Sequence, residues 1–182
     1  MRSLERKIAM KVDVSAIMKV TGASVAVDGS VSFGSAGFLG ESYTFEEPLA
    51  VKGEIYNNGQ TLTLDVHVSG SMKTECSRCL KDIWVDVDYD IEEFLSRSES
   101  GGEQPEDEDM IFFEGHEVEL DPIVYDRFLM ELSGRYLCSE DCKGLCPVCG
   151  HDLNEGDCGC DREQIDPRWQ ALADILAQQK DE

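Results

Sequence analysis

Positive charge is scarce in this sequence. The 182 residues include 16 lysines and arginines against 38 aspartates and glutamates, for a net charge of −22 and a pI near 4.3. Proteins that grip a phosphate backbone do so by neutralising phosphates with Lys and Arg, so on average this chain repels nucleic acid. Only a local basic patch, screened from the rest beyond a Debye length of about 8 Å, escapes that rule. The overall charge suits solubility or a basic protein partner better. Long apolar runs are missing too: no segment approaches the ~20 residues of a membrane span, so no membrane role is expected. The start, "MRSLERKIAMKVDVS", has no apolar run of the secretory kind. The expectation is a reducing cytoplasm, where structural disulfides are rare. Residues 1–10 read as a disordered lead, with Met10 a natural alternative start. Recognisable catalytic signatures are absent as well. There is no phosphate-binding loop, dinucleotide fingerprint or nucleophile elbow, and the carboxylates are spread out rather than paired. Neither an enzyme nor a small-molecule substrate is expected.

What the chain has is strand periodicity and cysteine. From 11 to 95, "ASVAVDGSVSF", "LAVKGEIYNNGQTLTLDVHVSGSMKTEC" and "IWVDVDYDIEEF" alternate apolar and polar residues, the period of half-buried strands. Asn57-Asn58-Gly59 marks a turn between two of them. "VDVSAIMKV" reads as a strand running into a short helix. Repeated strands with short turns predict an α+β protein built on a mainly antiparallel β-barrel or sandwich-like domain. Residues 96–109, "SRSESGGEQPEDED", hold no apolar side chain and read as an acidic flexible linker. In the segment 110–182, "MIFFEGHEVEL" predicts strand. "DPIVYDRFLMELSGRYL" predicts a helix capped by Asp121, with Pro122 at its first position. Its apolar stripe is Ile123, Val124, Phe128, Leu129 and Leu132. Asp166-Pro167 opens a terminal amphipathic helix with Trp169, Leu172, Ile175 and Leu176 on one face.

The chain is long enough to bury a core without covalent help, so its eight cysteines point to another task. Six of them fall in "CSEDCKGLCPVCGHDLNEGDCGC", 138–160, and two in "CSRC", 76–79. Cys76-x-x-Cys79 and Cys146-x-x-Cys149 have the spacing of metal knuckles, two thiolates on one tight turn. Cys158-x-Cys160 and Cys138-x-x-x-Cys142 supply further pairs. Proximity groups Cys146 and Cys149 with Cys158 and Cys160. That leaves Cys138 and Cys142 to join Cys76 and Cys79 in a site tying the β region to the C-terminal segment. Swapped pairings and a single site remain alternatives. Zinc, one or two structural ions, fits this donor set better than an iron–sulfur cluster, a disulfide framework or a redox pair. A four-cysteine zinc has no open position for water, so it holds structure rather than performing chemistry. Of His67, His116 and His151, only His151, beside "CPVCG", is worth weighing as a ligand.

"CSRCL" after a strand region, "DCKGLCPVCGHDLN", "CGC" and "DPRWQALADIL" together resemble the YceD family, the large ribosomal RNA subunit accumulation proteins, over roughly Lys11 to Leu176. The resemblance implies a cytoplasmic, non-enzymatic factor for accumulation or processing of large-subunit (23S) ribosomal RNA. It carries over Cys76, Cys79, Cys138, Cys142, Cys146, Cys149, Cys158 and Cys160 as metal ligands. Ser133-Gly134 stands where the family pattern leads one to expect proline. Because the chain is acidic, docking to a basic ribosomal protein or assembly factor on the large subunit is favoured. Arg78 and Lys81, beside the first knuckle, are the candidates for direct RNA contact. The alternatives are a direct RNA-binding zinc-ribbon module and a metal-dependent RNA-processing enzyme.

Overall fold

The computed structural model describes residues 9–38, 40–98 and 110–161. Residues 1–8 of the lead, 99–109 of the acidic linker and 162–182, with the terminal amphipathic segment, lie outside the described residues. The described residues divide into two compact units. The first lies within Met1–Glu75 and Asp82–Tyr136, the second within Cys76–Lys81 and Leu137–Glu182.

The first unit is mainly antiparallel β. Its strands are β1 (Lys11–Asp13), β2 (Ser24–Val31), β3 (Ser35–Phe38), β4 (Glu41–Thr44), β5 (Leu49–Asn57), β6 (Leu62–Glu75), β7 (Asp82–Arg97), β8 (Met110–Phe113) and β9 (Glu117–Glu119), and α1 spans Leu120–Glu131. Seven strands form one sheet around β6, which pairs along its whole length with β7. Its other edge takes β5 over Leu62–Ser69, then β4 at Lys73. β2 continues beyond β5, β3 beyond β4, and β8 joins β7 in parallel. β1 and β9 make a separate two-stranded sheet, with Val12 opposite Val118.

Side-chain alternation decides which face is buried. Leu64, Val66 and Val68 of β6 point inward with Val51 and Ile55 of β5 and Ile91 and Leu95 of β7, all at most 1% exposed. Each such side chain contributes roughly 1.5–3 kcal/mol on burial. Leu120, Ile123, Val124 and Phe128 of α1 join the same cluster. Phe128 stacks edge-on against Phe45 and Tyr43, with ring centroids 5.1 and 6.2 Å apart. The Tyr89 hydroxyl donates to the Val124 carbonyl at 3.1 Å, giving that buried phenol its partner. The opposite face of β7 is acidic and exposed at Asp86, Asp88, Asp90 and Glu92.

Several local expectations are corrected. "VDVSAIMKV" forms β1 and then successive turns rather than a helix. The amide of Asn57 donates to the Ile17 and Met18 carbonyls at 2.8 and 3.2 Å, taking acceptors a helix would need. α1 starts at Leu120, before Asp121, and its N-cap Glu119 makes no side-chain cap bond. The Leu120 N–H instead donates to the Met10 carbonyl (2.9 Å), and the Asp121 carboxylate accepts the Met10 N–H at 2.7 Å. Pro122 is therefore the third helical residue. α1 stops at Glu131, so Leu132 packs on the core from beyond the helix. "MIFFEGHEVEL" divides into two strands with different partners, β8 and β9. β7 also runs through Ser96 and Arg97, two residues into the expected linker. The Asn57–Gly59 turn stands as expected, with Asn58 Oδ1 accepting the N–H groups of Gln60 and Thr61 at 2.9 Å. Among the described residues no helix is long and apolar enough to cross a membrane.

Candidate metal centres

In the second unit the two C-x-x-C stretches fold alike. The Cys76 N–H donates to the Lys81 carbonyl at 2.8 Å and the Leu80 N–H to the Cys76 carbonyl at 2.9 Å. The Cys146 N–H donates to the His151 carbonyl at 2.8 Å and the Gly150 N–H to the Cys146 carbonyl at 2.8 Å. Such a turn needs a left-handed residue just after the second cysteine. Gly150 supplies it at φ +75, where glycine meets no Cβ penalty. In the first knuckle the position is Leu80, at φ +58, the one non-glycine among the described residues with positive φ. The knuckles are also joined through the backbone, the Leu145 N–H donating to the Arg78 carbonyl at 3.2 Å.

Around these turns the eight thiols gather into two quartets. Cys76, Cys79, Cys138 and Cys142 form one, and Cys146, Cys149, Cys158 and Cys160 the other, each with its sulfurs within 4.8 Å of one another. The first quartet lies wholly in the second unit, because Cys76–Lys81 belongs to it. Cys76 Sγ is 3.8 Å from Cys142 Sγ, and Cys79 Sγ is 3.6 Å from Cys138 Sγ. A disulfide would bring two sulfurs to about 2.05 Å, and all eight cysteines are free. A tetrahedron of sulfurs about 2.3 Å from a zinc ion has edges of about 3.8 Å. The donor set and its spacing therefore fit one tetrahedral metal ion per quartet.

Backbone amides prepare thiolates. Burial pushes the Cys76 thiol up, but the N–H groups of Cys79, Arg78 and Cys138 outweigh it and bring the thiol down to about 6. The N–H groups of Cys149 and Val148 hold Cys146 at about 6. In each quartet another thiol goes the opposite way. Hydrogen bonds with Cys142 and Cys79 push Cys138 up to about 12. Those with Cys149 and Cys158 push Cys160 up to about 12. Four sulfurs this close cannot all ionise beside one another unaided, and a dication that binds them displaces the remaining protons.

Sequence reasoning missed one residue of this centre. Asn154 Nδ2 donates to Cys142 Sγ at 3.4 Å and to Asp152 Oδ1 at 2.7 Å, while its Oδ1 accepts the Lys143 N–H at 2.8 Å. The only signal was an amide side chain shortly after "CPVCG". Asp152 in turn pairs with Lys81 at 2.7 Å, and Glu155 stands 3.4 Å from the same ammonium. Arg78 Nη1 donates to the carbonyls of Cys142 and Glu140. The two cations weighed for RNA contact are thus both engaged inside the unit. His151 contributes its carbonyl to the second knuckle, and its side chain belongs to neither quartet. His67 lies elsewhere, beside Asp90 and Asp88 at 2.8 and 3.6 Å. The His116 carbonyl accepts the Val14 N–H at 2.9 Å.

Comparison with known proteins matches residues 64–176 to the family described as large ribosomal RNA subunit accumulation protein YceD. An uncharacterized protein of Mycobacterium tuberculosis is 33% identical over 108 residues, 59% of this chain and 52% of the relative. The uncharacterized protein YlbN of Bacillus subtilis is 30% identical over 135 residues, 72% of this chain and 76% of the relative. A protein of Arabidopsis thaliana named large ribosomal RNA subunit accumulation protein YCED homolog 1, chloroplastic, is 32% identical over 73 residues, 39% of this chain and 23% of the relative. The chain thus spans about half the length of the mycobacterial relative it matches. No solved structure matches significantly. The matched span runs from β6 through both knuckles and contains all eight cysteines, and the chain belongs to the YceD family of large ribosomal RNA subunit accumulation proteins.

Proposed function

We propose that the chain is a non-enzymatic accessory factor in the accumulation and processing of large-subunit (23S) ribosomal RNA, working in the cytoplasm. Two zinc ions staple its knuckles, and an acidic surface receives a basic ribosomal protein or assembly factor. The observation that carries the non-enzymatic reading is the composition of the quartets. Each consists of cysteine alone, and four thiolates close a zinc ion's tetrahedron, leaving no position for water or substrate. Such ions act by stabilising the fold, and structural zinc supplies on the order of 10–16 kcal/mol in small modules. A curled, barrel-like or sandwich-like β domain belongs to this reading. One buried cluster covering the inner faces of β2, β5, β6 and β7 supports it.

A direct RNA-binding role competes less well. Arg78 and Lys81 already have internal partners, and the net charge of −22 opposes phosphate contact. Depletion of the protein tests the main reading. The ratio of large- to small-subunit ribosomal RNA should fall and be restored by the wild-type chain. An unchanged ratio would sink it. If RNA is contacted directly, binding to 23S fragments should weaken steeply with salt and on replacing Arg78 and Lys81.

A further inference from the structure

Beside α1 the first unit has a groove of about 540 Å³. Ile111 of β8, Val118 of β9, Ile123 and Met130 give it an apolar lining, and Met130 is 77% exposed, the most exposed large apolar side chain described. Acids border this lining. Glu93, Glu114, Glu117, Glu119 and Asp126 all reach the groove, against two cations, Lys11 and Arg127. Both cations are taken: Lys11 sits 2.6 Å from Glu119 and 3.8 Å from Glu117, and Arg127 sits 3.1 Å from Glu131. Glu93, Glu114 and Asp126 have no ion-pair partner among the described residues.

An apolar floor with uncompensated carboxylates around it selects its occupant. Nucleic acid and anionic lipid are repelled by the rim. A purely cationic chain leaves the floor wet, and a purely apolar one leaves the carboxylates without cations. Arg127 adds a buried Nε–H with no acceptor among the described residues, which the backbone carbonyl of an entering chain would satisfy.

We propose that this groove is a docking site for a lysine- or arginine-rich amphipathic segment of a protein partner, seated by apolar side chains on Met130 and the half-buried Ile111 and by cations on Glu114 and Asp126. The inference rests on the reading that the chain works beside a basic large-subunit protein, and it names the surface that meets it. Helices and extended segments of this type commonly bind in such grooves.

The test uses the full chain and a fluorescein-labelled peptide of leucine and lysine at helical spacing. Anisotropy should show saturable one-to-one binding, weakened at least about tenfold, near 1.4 kcal/mol, by either Asp126→Lys or Met130→Glu. Both positions are exposed, and an unchanged thermal midpoint verifies that each variant is folded. Asp86→Lys, on the acidic outer face of β7, should leave the affinity unchanged. A peptide with alanine for leucine should bind at least about tenfold more weakly. Equal loss with Asp86→Lys, no loss with the groove variants, or equal binding of the alanine peptide overturns the proposal. So does a wild-type dimer that Met130→Glu converts to monomer without affecting the peptide, which makes a second copy the occupant. The functional reading fails separately, by an unchanged ribosomal RNA ratio on depletion, whatever the peptide does.

Discussion

The sulfurs of Cys76 and Cys142 lie 3.8 Å apart across 66 positions of sequence, the edge of a tetrahedron about 2.3 Å in arm. Metal stoichiometry follows from this pair and its counterpart. Wild-type protein purified without chelator should carry two zinc ions per chain. Cys142→Ser and Cys158→Ser should each lose one, from different quartets, as read by elemental analysis against protein concentration. A single ion in the wild type, or both ions lost with either variant, would contradict two separate centres.

The Asn154 amide supports the first quartet from outside through its bond to Cys142 Sγ. Outer partners of this kind typically tune metal affinity by about 10–100-fold. Asn154→Ala should weaken zinc retention by that order in competition with a chromogenic chelator, while the second quartet keeps its ion. Unchanged retention would mean that the amide serves only the turn.

Leu80 and Gly150 occupy equivalent positions with φ of +58 and +75. A left-handed non-glycine residue costs about 1–2 kcal/mol, so Gly150→Ala should destabilise the second unit by about that amount. Leu80→Gly should stabilise it, by less, because glycine also gains entropy in the unfolded chain. Chelator-induced unfolding midpoints measure both. The same sign for both substitutions would contradict the equivalence of the knuckles.

Gly53 in β5 lets the backbone approach β6 closely. A Cβ there would collide with the Asp65 carbonyl oxygen, backbone that cannot swing away. Gly53→Ala should cost at least about 2–3 kcal/mol in denaturant unfolding, in the upper range of overpacking.

His67 gives the pH dependence. Its hydrogen bond to Asp90, with Asp88 nearby, outweighs desolvation and raises its pKa above 6.5. The folded state therefore holds this proton more tightly than the unfolded chain. The associated stability is fully present below about pH 6.5 and is lost as pH rises through the raised folded value. An NMR titration should place the His67 midpoint above 6.5, and Asp90→Asn should lower it. A midpoint at or below 6.5 in the wild type would contradict the pairing.

Local signals in the sequence carried much of this architecture. Strand alternation located β5, β6 and β7 because each has one buried and one solvated face. Asn57-Asn58-Gly59 announced its turn because the turn is built from its own side chains. The quartets were legible in part, because C-x-x-C pairs fold locally; the sequence left swapped pairings and a single site open, and the structure groups the sulfurs as proximity suggests. What stayed hidden depends on distant partners. The start of α1 is set by Met10, 110 positions before Leu120, and no helix-start rule sees that bond. "MIFFEGHEVEL" looks like one strand, yet β8 and β9 answer to β7 and β1. Asn154 gave no sign of its N–H···S bond, because nothing in an isolated asparagine specifies a sulfur acceptor. Arg78 and Lys81 looked free, since their acceptors at Cys142 and Asp152 lie more than 60 positions away.

Each quartet consists of cysteine alone, so a zinc ion held there would be closed to water and structural. Zinc K-edge X-ray absorption on the native protein decides this. Four sulfur neighbours at about 2.3 Å around each zinc and no lighter ligand are expected. A shell containing nitrogen or oxygen would contradict this, because an open or mixed site could hold water and support metal-dependent chemistry.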